Sequence, residues 1–147
     1  MGRQARRGSA LLACAITGGL AVIAGIFAPW VQVPVFVYGT SGFSGASWGR
    51  SWLVVPAALA VALLVAAQRR PRRGAWLRAA AAVCGLVVLG AVADLARSVA
   101  GLQSAPGTSI DLLRAGWGLY VSGAGAVVLI AGASLLVLAD RRRSVAP

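Results

Sequence analysis

Four apolar runs, separated by clusters of arginine, constrain this chain more than any motif in it. Crossing about 30 Å of hydrocarbon takes roughly 20 helical residues at a rise of 1.5 Å each. The runs extend approximately over Ala10 to Ala28, Trp52 to Gln68, Leu77 to Ala96 and Trp117 to Ala139. They predict an all-α, four-helix transmembrane bundle, a single integral membrane domain over residues 1–147. The external loops fall at 29–51 and 97–116 and the cytoplasmic loop at 69–76, with the first external loop partly ordered.

Composition agrees with this. Hydrophobic residues make up 59% of the chain and charged residues 12%, where a soluble domain carries about a quarter charged. The spans leave no room for a separate soluble catalytic domain, so any function uses the helices or their short connections.

A net charge of +11 in a soluble protein would point to nucleic acid, because basic side chains neutralise phosphates. Its distribution here excludes that reading. Arg3, Arg6 and Arg7 precede the first span; Arg69, Arg70, Arg72, Arg73 and Arg78 fill the second connection; Arg141, Arg142 and Arg143 follow the fourth span. The other two connections hold Arg50, Arg97 and Arg114. This asymmetry places both termini and the "RRPRRGAWLR" connection on the cytoplasmic side of the cell membrane. The same flanks attract anionic lipid headgroups, at about 1 kcal/mol per arginine near the surface. Membrane lipids are therefore the first partners to expect. The basic residues are all arginine, and lysine, histidine, glutamate and asparagine are absent, the habit of a GC-rich, actinobacterial genome.

The N-terminal "RRGSALLAC" combines a twin arginine with a lipoprotein-box-like Cys14. A cleavable signal has its apolar region before the cleavage site, whereas the long apolar run here follows Cys14. The first span is read as an anchor that stays. Cys14 and Cys84 lie inside spans, on a reducing side, and are read as small apolar fillers without a disulfide.

The first external loop opens with "PWVQVPVFVYGT", in which Val31, Val33, Val35 and Val37 alternate with other residues. That period of two predicts a strand, and Pro34 would confine it to a sheet edge. "SGFSGASWG" then supplies turn residues for a mobile hairpin or flap. The loop's aromatic residues are Trp30, Phe36, Tyr38, Phe43, Trp48 and Trp52. They form either an interfacial aromatic belt or an external surface for a partner or an apolar ligand. In the second external loop Pro106 and Gly107 form a turn, and Thr108 and Asp111 resemble a capping box, a structural role for that acid.

In the fourth span Gly118, Gly125, Gly132 and Ala139 recur every seven residues, with Ser122 one turn after Gly118. A period of 3.5 places them on one seam where a neighbouring backbone comes close. The neighbour is either another helix of this chain or a second protein. Spacings of the same kind join Ala15 to Gly19 and Ala21 to Gly25 in the first span.

Asp94 lies 16 residues beyond Arg78, about 24 Å along a helix, near the outer edge of the hydrocarbon. A charge there is costly without a partner. Three roles are open to it: an ion pair with Arg97, Arg114 or Arg50; a cation or proton site in a transport path; or an acid/base dyad with Asp111. The dyad resembles in outline the lipoprotein signal peptidases. Their motifs place asparagine beside both aspartates, and "ADLAR" and "SIDLLR" contain none. Small multidrug transporters carry an acid in the first helix, which is missing here. No histidine is present to act as a base or metal ligand, so neither metal nor nucleophilic catalysis is indicated and no cofactor is implied.

Pro29-Trp30 closing the first helix, the Gly/Ser-rich loop, the arginine-rich turn and the opening "GWGLYVSGAG" of the fourth helix together resemble small four-span actinobacterial membrane proteins. These include the family encoded beside tryptophan-biosynthesis genes. The resemblance implies a membrane-embedded four-helix fold and assigns no catalytic residue. The functional expectation is a non-enzymatic accessory or scaffolding subunit that binds a partner membrane protein or its own copies. The rival is a small transporter or lipid-binding protein that uses Asp94.

Overall fold

The computed structural model describes residues 2–35, 39–69, 74–103 and 114–145. Four helices dominate it: α1 (Gly2–Phe27), α2 (Val54–Arg69), α3 (Gly74–Gln103) and α4 (Trp117–Val145). Four stretches are long and apolar enough to span a membrane: Gly8–Phe27 in α1, Ser51–Arg69, which is α2 with the three residues before it, Gly74–Gly101 in α3 and Trp117–Asp140 in α4. α1, α3 and α4 are longer than the expected spans, whereas α2 begins two residues later than Trp52. α3 continues two turns past Ala96, so the connection expected over 97–116 is shorter.

Successive helices pack side by side, and the extensive α1–α4 contact closes the ring. The interior divides into two clusters. At one end Val22, Ile26, Trp30, Leu53, Val88, Val92, Leu95 and Leu119 meet; at the other Ala15, Ala60, Leu64, Ala81, Leu129, Ala133 and Leu136 do. Alanine dominates the second cluster, which lets the helices approach closely there. Only 28% to 39% of each apolar window is buried within the chain. The outward Leu20, Phe27, Val55, Leu59, Val83, Leu86, Val127 and Leu138 need a solvent as apolar as themselves, which is a bilayer.

Local sequence sets the ends of the elements. α1 stops two residues before Pro29, whose ring disfavours helix in the residue ahead of it. Pro56 sits in the first turn of α2, where its missing N–H is no loss.

Between α1 and α2 lie β1 (Pro29–Val35) and β2 (Gly39–Ser44), paired antiparallel with Val31 opposite Phe43 and Val35 opposite Gly39. A π-helical turn, Ala46–Arg50, and a 3-10 turn, Ser51–Leu53, lead into α2. Gly49 takes a φ of 70° there, a conformation that suits glycine. A two-residue strand, β3 (Arg114–Ala115), pairs with Gln32 and Val31, giving the sheet order β2-β1-β3. The expected edge strand is therefore central over Val31 and Gln32, and among the described residues it is an edge only further on. Among the described residues Pro34 has one neighbouring strand, β2, so its missing donor costs no second ladder there.

Candidate functional site

The sheet end is built around Trp30. It is 0% exposed, and its indole Nε1 donates to the Gly25 carbonyl at 2.7 Å. A Cβ on Gly45 would meet its ring at 2.6 Å, so the loop backbone lies flat on the indole. Trp30 is therefore a core residue and not part of an external contact loop: a side chain of this size, with its N–H satisfied, is stabilised far more by burial than by exposure. The Gly116 amide donates to the Trp30 carbonyl at 2.7 Å and ties the start of α4 to β1.

The remaining aromatic residues of the loop divide. Phe43 and Trp52 are exposed, as are Phe27, Trp117 and Tyr120 at the same end of the bundle. Trp48 lies on the π-helical turn, and Phe36 and Tyr38 fall outside the described residues.

The small residues of α4 face α1. A Cβ on Gly118 would meet the Gly25 and Ala28 carbonyls at 2.8 Å, one on Gly125 the Gly18 carbonyl at 2.7 Å, and one on Gly132 the Ala15 Cβ at 2.8 Å. Ser122 lies directly against Gly25 and is 0% exposed, its Oγ without a partner. The residues that complete the seam are Ala15, Gly18 and Gly25 of α1 and Ala28 just beyond its end. Gly19, singled out by its spacing from Ala15, packs against Val61 of α2 instead, because four residues carry a helix about 40° beyond a full turn. Ala139, the last residue of the heptad series, is half-buried.

Asp94 pairs with Arg50, Nη2 to Oδ2 at 3.3 Å, across 44 positions of chain. Its side chain is 69% exposed, and it lies on α3 opposite the buried Val88, Val92, Leu95 and Val99. Ser98 Oγ donates to the Asp94 carbonyl at 2.9 Å. Arg97, one turn on, is exposed on the same face; Arg114 lies in β3. Asp111, the other half of the dyad, falls outside the described residues.

A second ion pair, which sequence reasoning missed, joins Arg78 Nη1 to Asp140 Oδ2 at the opposite end of the bundle. The available signal was an acid directly before Arg141, on the arginine-rich side where every other charge is positive. Arg78 Nε is buried without an acceptor. Alongside the pair runs an open groove of 280 Å³ lined by Ala75, Trp76, Ala79 and Val137. Cys14 is exposed on the outer surface of α1, not a filler, and Cys84 is half-buried; both are free thiols. Among the described residues no three of His, Cys, Asp and Glu come together as a metal site would require.

Taken together, four membrane-capable helices, their apolar outer surface and a sheet confined to one end define a multi-pass membrane protein. No protein-family model matches the chain, and no curated protein matches it either.

Proposed function

We propose that this protein is a non-enzymatic accessory or scaffolding subunit of a larger membrane assembly, with both termini in the cytoplasm and the sheet on the outer face of the cell membrane. One observation carries the reading. The outward stripe of α3 places Asp94 and Arg97 between Gly90 and Gly101, and a Cβ on either glycine would meet nothing within 4 Å. The α4 seam is filled within the chain, whereas this α3 stripe is open to a neighbour. It combines backbone open to close approach with charges that gain from a partner in a low-dielectric setting. The arginine asymmetry supports the orientation.

The rival, transport or lipid binding through Asp94, draws less support. Asp94 points away from the bundle interior, so a path using it would have to run between copies.

A photocrosslinking residue at Val87 tests the proposal in native membranes, with one at Leu20 on α1 as reference; both positions are exposed. The expected result is a discrete protein adduct at Val87, abolished by Gly90→Leu, and lipid adducts alone at Leu20. Lipid adducts alone at both positions, with a stable monomer on purification, would overturn it.

A further inference from the structure

We propose that the groove between the start of α3 and the end of α4 is a binding site for one anionic phospholipid. An acyl chain lies against Ala75, Ala79 and Val137, Trp76 stands at its mouth, and the headgroup meets the surrounding arginines.

The groove is open and apolar, and its 280 Å³ lies at the lower end of ligand-pocket volumes. It holds a segment of one chain while the rest of the lipid stays in the bilayer. Trp76 is 82% exposed, and an indole at a span boundary takes the headgroup level, with its body apolar and its N–H wet. Ala75 and Arg78 are three residues apart on α3, as are Val137 and Asp140 on α4. The Arg78–Asp140 pair therefore crosses between the helices beside the groove.

Charge selects the headgroup. Around this end the sequence places Arg69, Arg70, Arg72, Arg73, Arg78, Arg141, Arg142 and Arg143 against a single acid, Asp140. Asp140 engages Nη1 of Arg78, and the buried Nε of that guanidinium has no acceptor within the chain. The Arg78 side chain is 16% exposed, and a phosphate oxygen adds a charge-assisted contact at that exposed part, the buried Nε being out of reach. The site stands apart from the outward stripe of α3 and does not depend on the accessory-subunit reading.

Native mass spectrometry of the detergent-solubilised full chain, titrated with phosphatidylglycerol or phosphatidylcholine of matched chains, tests the site. The expected result is one saturable phosphatidylglycerol, preferred at least tenfold, since each arginine near a headgroup contributes about fivefold. Ala79→Trp fills the groove from an exposed position and should lower that occupancy at least tenfold without changing the unfolding temperature; Ala75→Leu does the same if the tryptophan perturbs folding. Changing Arg141, Arg142 and Arg143 together to Gln should reduce the preference for phosphatidylglycerol and leave phosphatidylcholine unaffected. Equal retention of the two lipids, or unchanged phosphatidylglycerol binding in both groove variants, would overturn the proposal. So would displacement of the lipid by millimolar glycerol phosphate, which would make this a site for a soluble phosphate ester.

Discussion

Gly18 of α1 and Gly125 of α4 face each other so closely that a Cβ on either would lie 2.7 Å from the other's carbonyl oxygen. Backbones this close gain dispersion contacts along their length, the main attraction between helices in a medium as apolar as their side chains. Gly18→Ala or Gly125→Ala should each destabilise the fold by about 1–3 kcal/mol, the usual cost of overpacking, in denaturant titrations in detergent. Gly90→Ala, with open space around it, should be neutral or stabilise by up to about 1 kcal/mol. Equal losses at the three sites would place the tight contact elsewhere.

Ser122 lies in the same seam with its hydroxyl buried and unpaired. Removing an orphan hydroxyl relieves its desolvation, so Ser122→Ala should leave stability unchanged or raise it by about 1 kcal/mol. Ser122→Val adds bulk against Gly25 and should cost about 1–3 kcal/mol. A loss of more than 1 kcal/mol in the alanine variant would show that the hydroxyl has a partner after all.

Trp30 separates packing from hydrogen bonding. Trp30→Phe keeps most of the apolar volume and gives up the bond to Gly25, at a cost of about 0.5–1.5 kcal/mol. Trp30→Ala empties the centre of the sheet-end cluster and should cost about 3–5 kcal/mol. Tryptophan emission of the folded protein should also lose a blue-shifted component in both variants; an unchanged spectrum would argue that this indole is wet.

The two ion pairs should differ in strength. The Arg50–Asp94 side chains are 27% and 69% exposed, those of Arg78–Asp140 16% and 33%. Exposed pairs in water are worth about 0.2–1 kcal/mol, whereas removing one member of a buried pair leaves a charge stranded. Double-mutant cycles built on Arg50→Gln with Asp94→Asn, and on Arg78→Gln with Asp140→Asn, should show the larger coupling in the second. Equal couplings would mean that the bilayer removes the difference in solvent exposure.

Much of this architecture was legible before any coordinates. The glycine repeat of α4 was visible as a heptad, since a seam needs small residues at a constant angular position and that regularity is written in one dimension. Its counterpart on α1 was not. Gly18 and Gly25 are also seven apart, but shorter alanine and glycine spacings around them obscured the repeat, and Gly19 turned out to serve α2. Trp30 was misplaced for a related reason. A tryptophan at the end of a span has the composition of an interfacial belt, and only the return of the loop over it, with Gly45 lying on the ring, puts it inside.

Membrane residence, the number of spans, the arginine-rich end and the glycine periodicity were determined by the sequence alone. Each depends on length, composition or spacing measured along the chain against a fixed bilayer thickness. The tertiary structure decided that α4 packs on α1, that Asp94 takes Arg50 from 44 positions away, and that Arg78 meets Asp140 across 62. It also decided that α3 turns Asp94 outward. Alanine, valine and leucine surround every helix, so no polar face marks which side meets lipid and which meets a neighbour. That choice emerges only when close backbone approach, burial of one indole and pairing of distant charges are satisfied in the same packing.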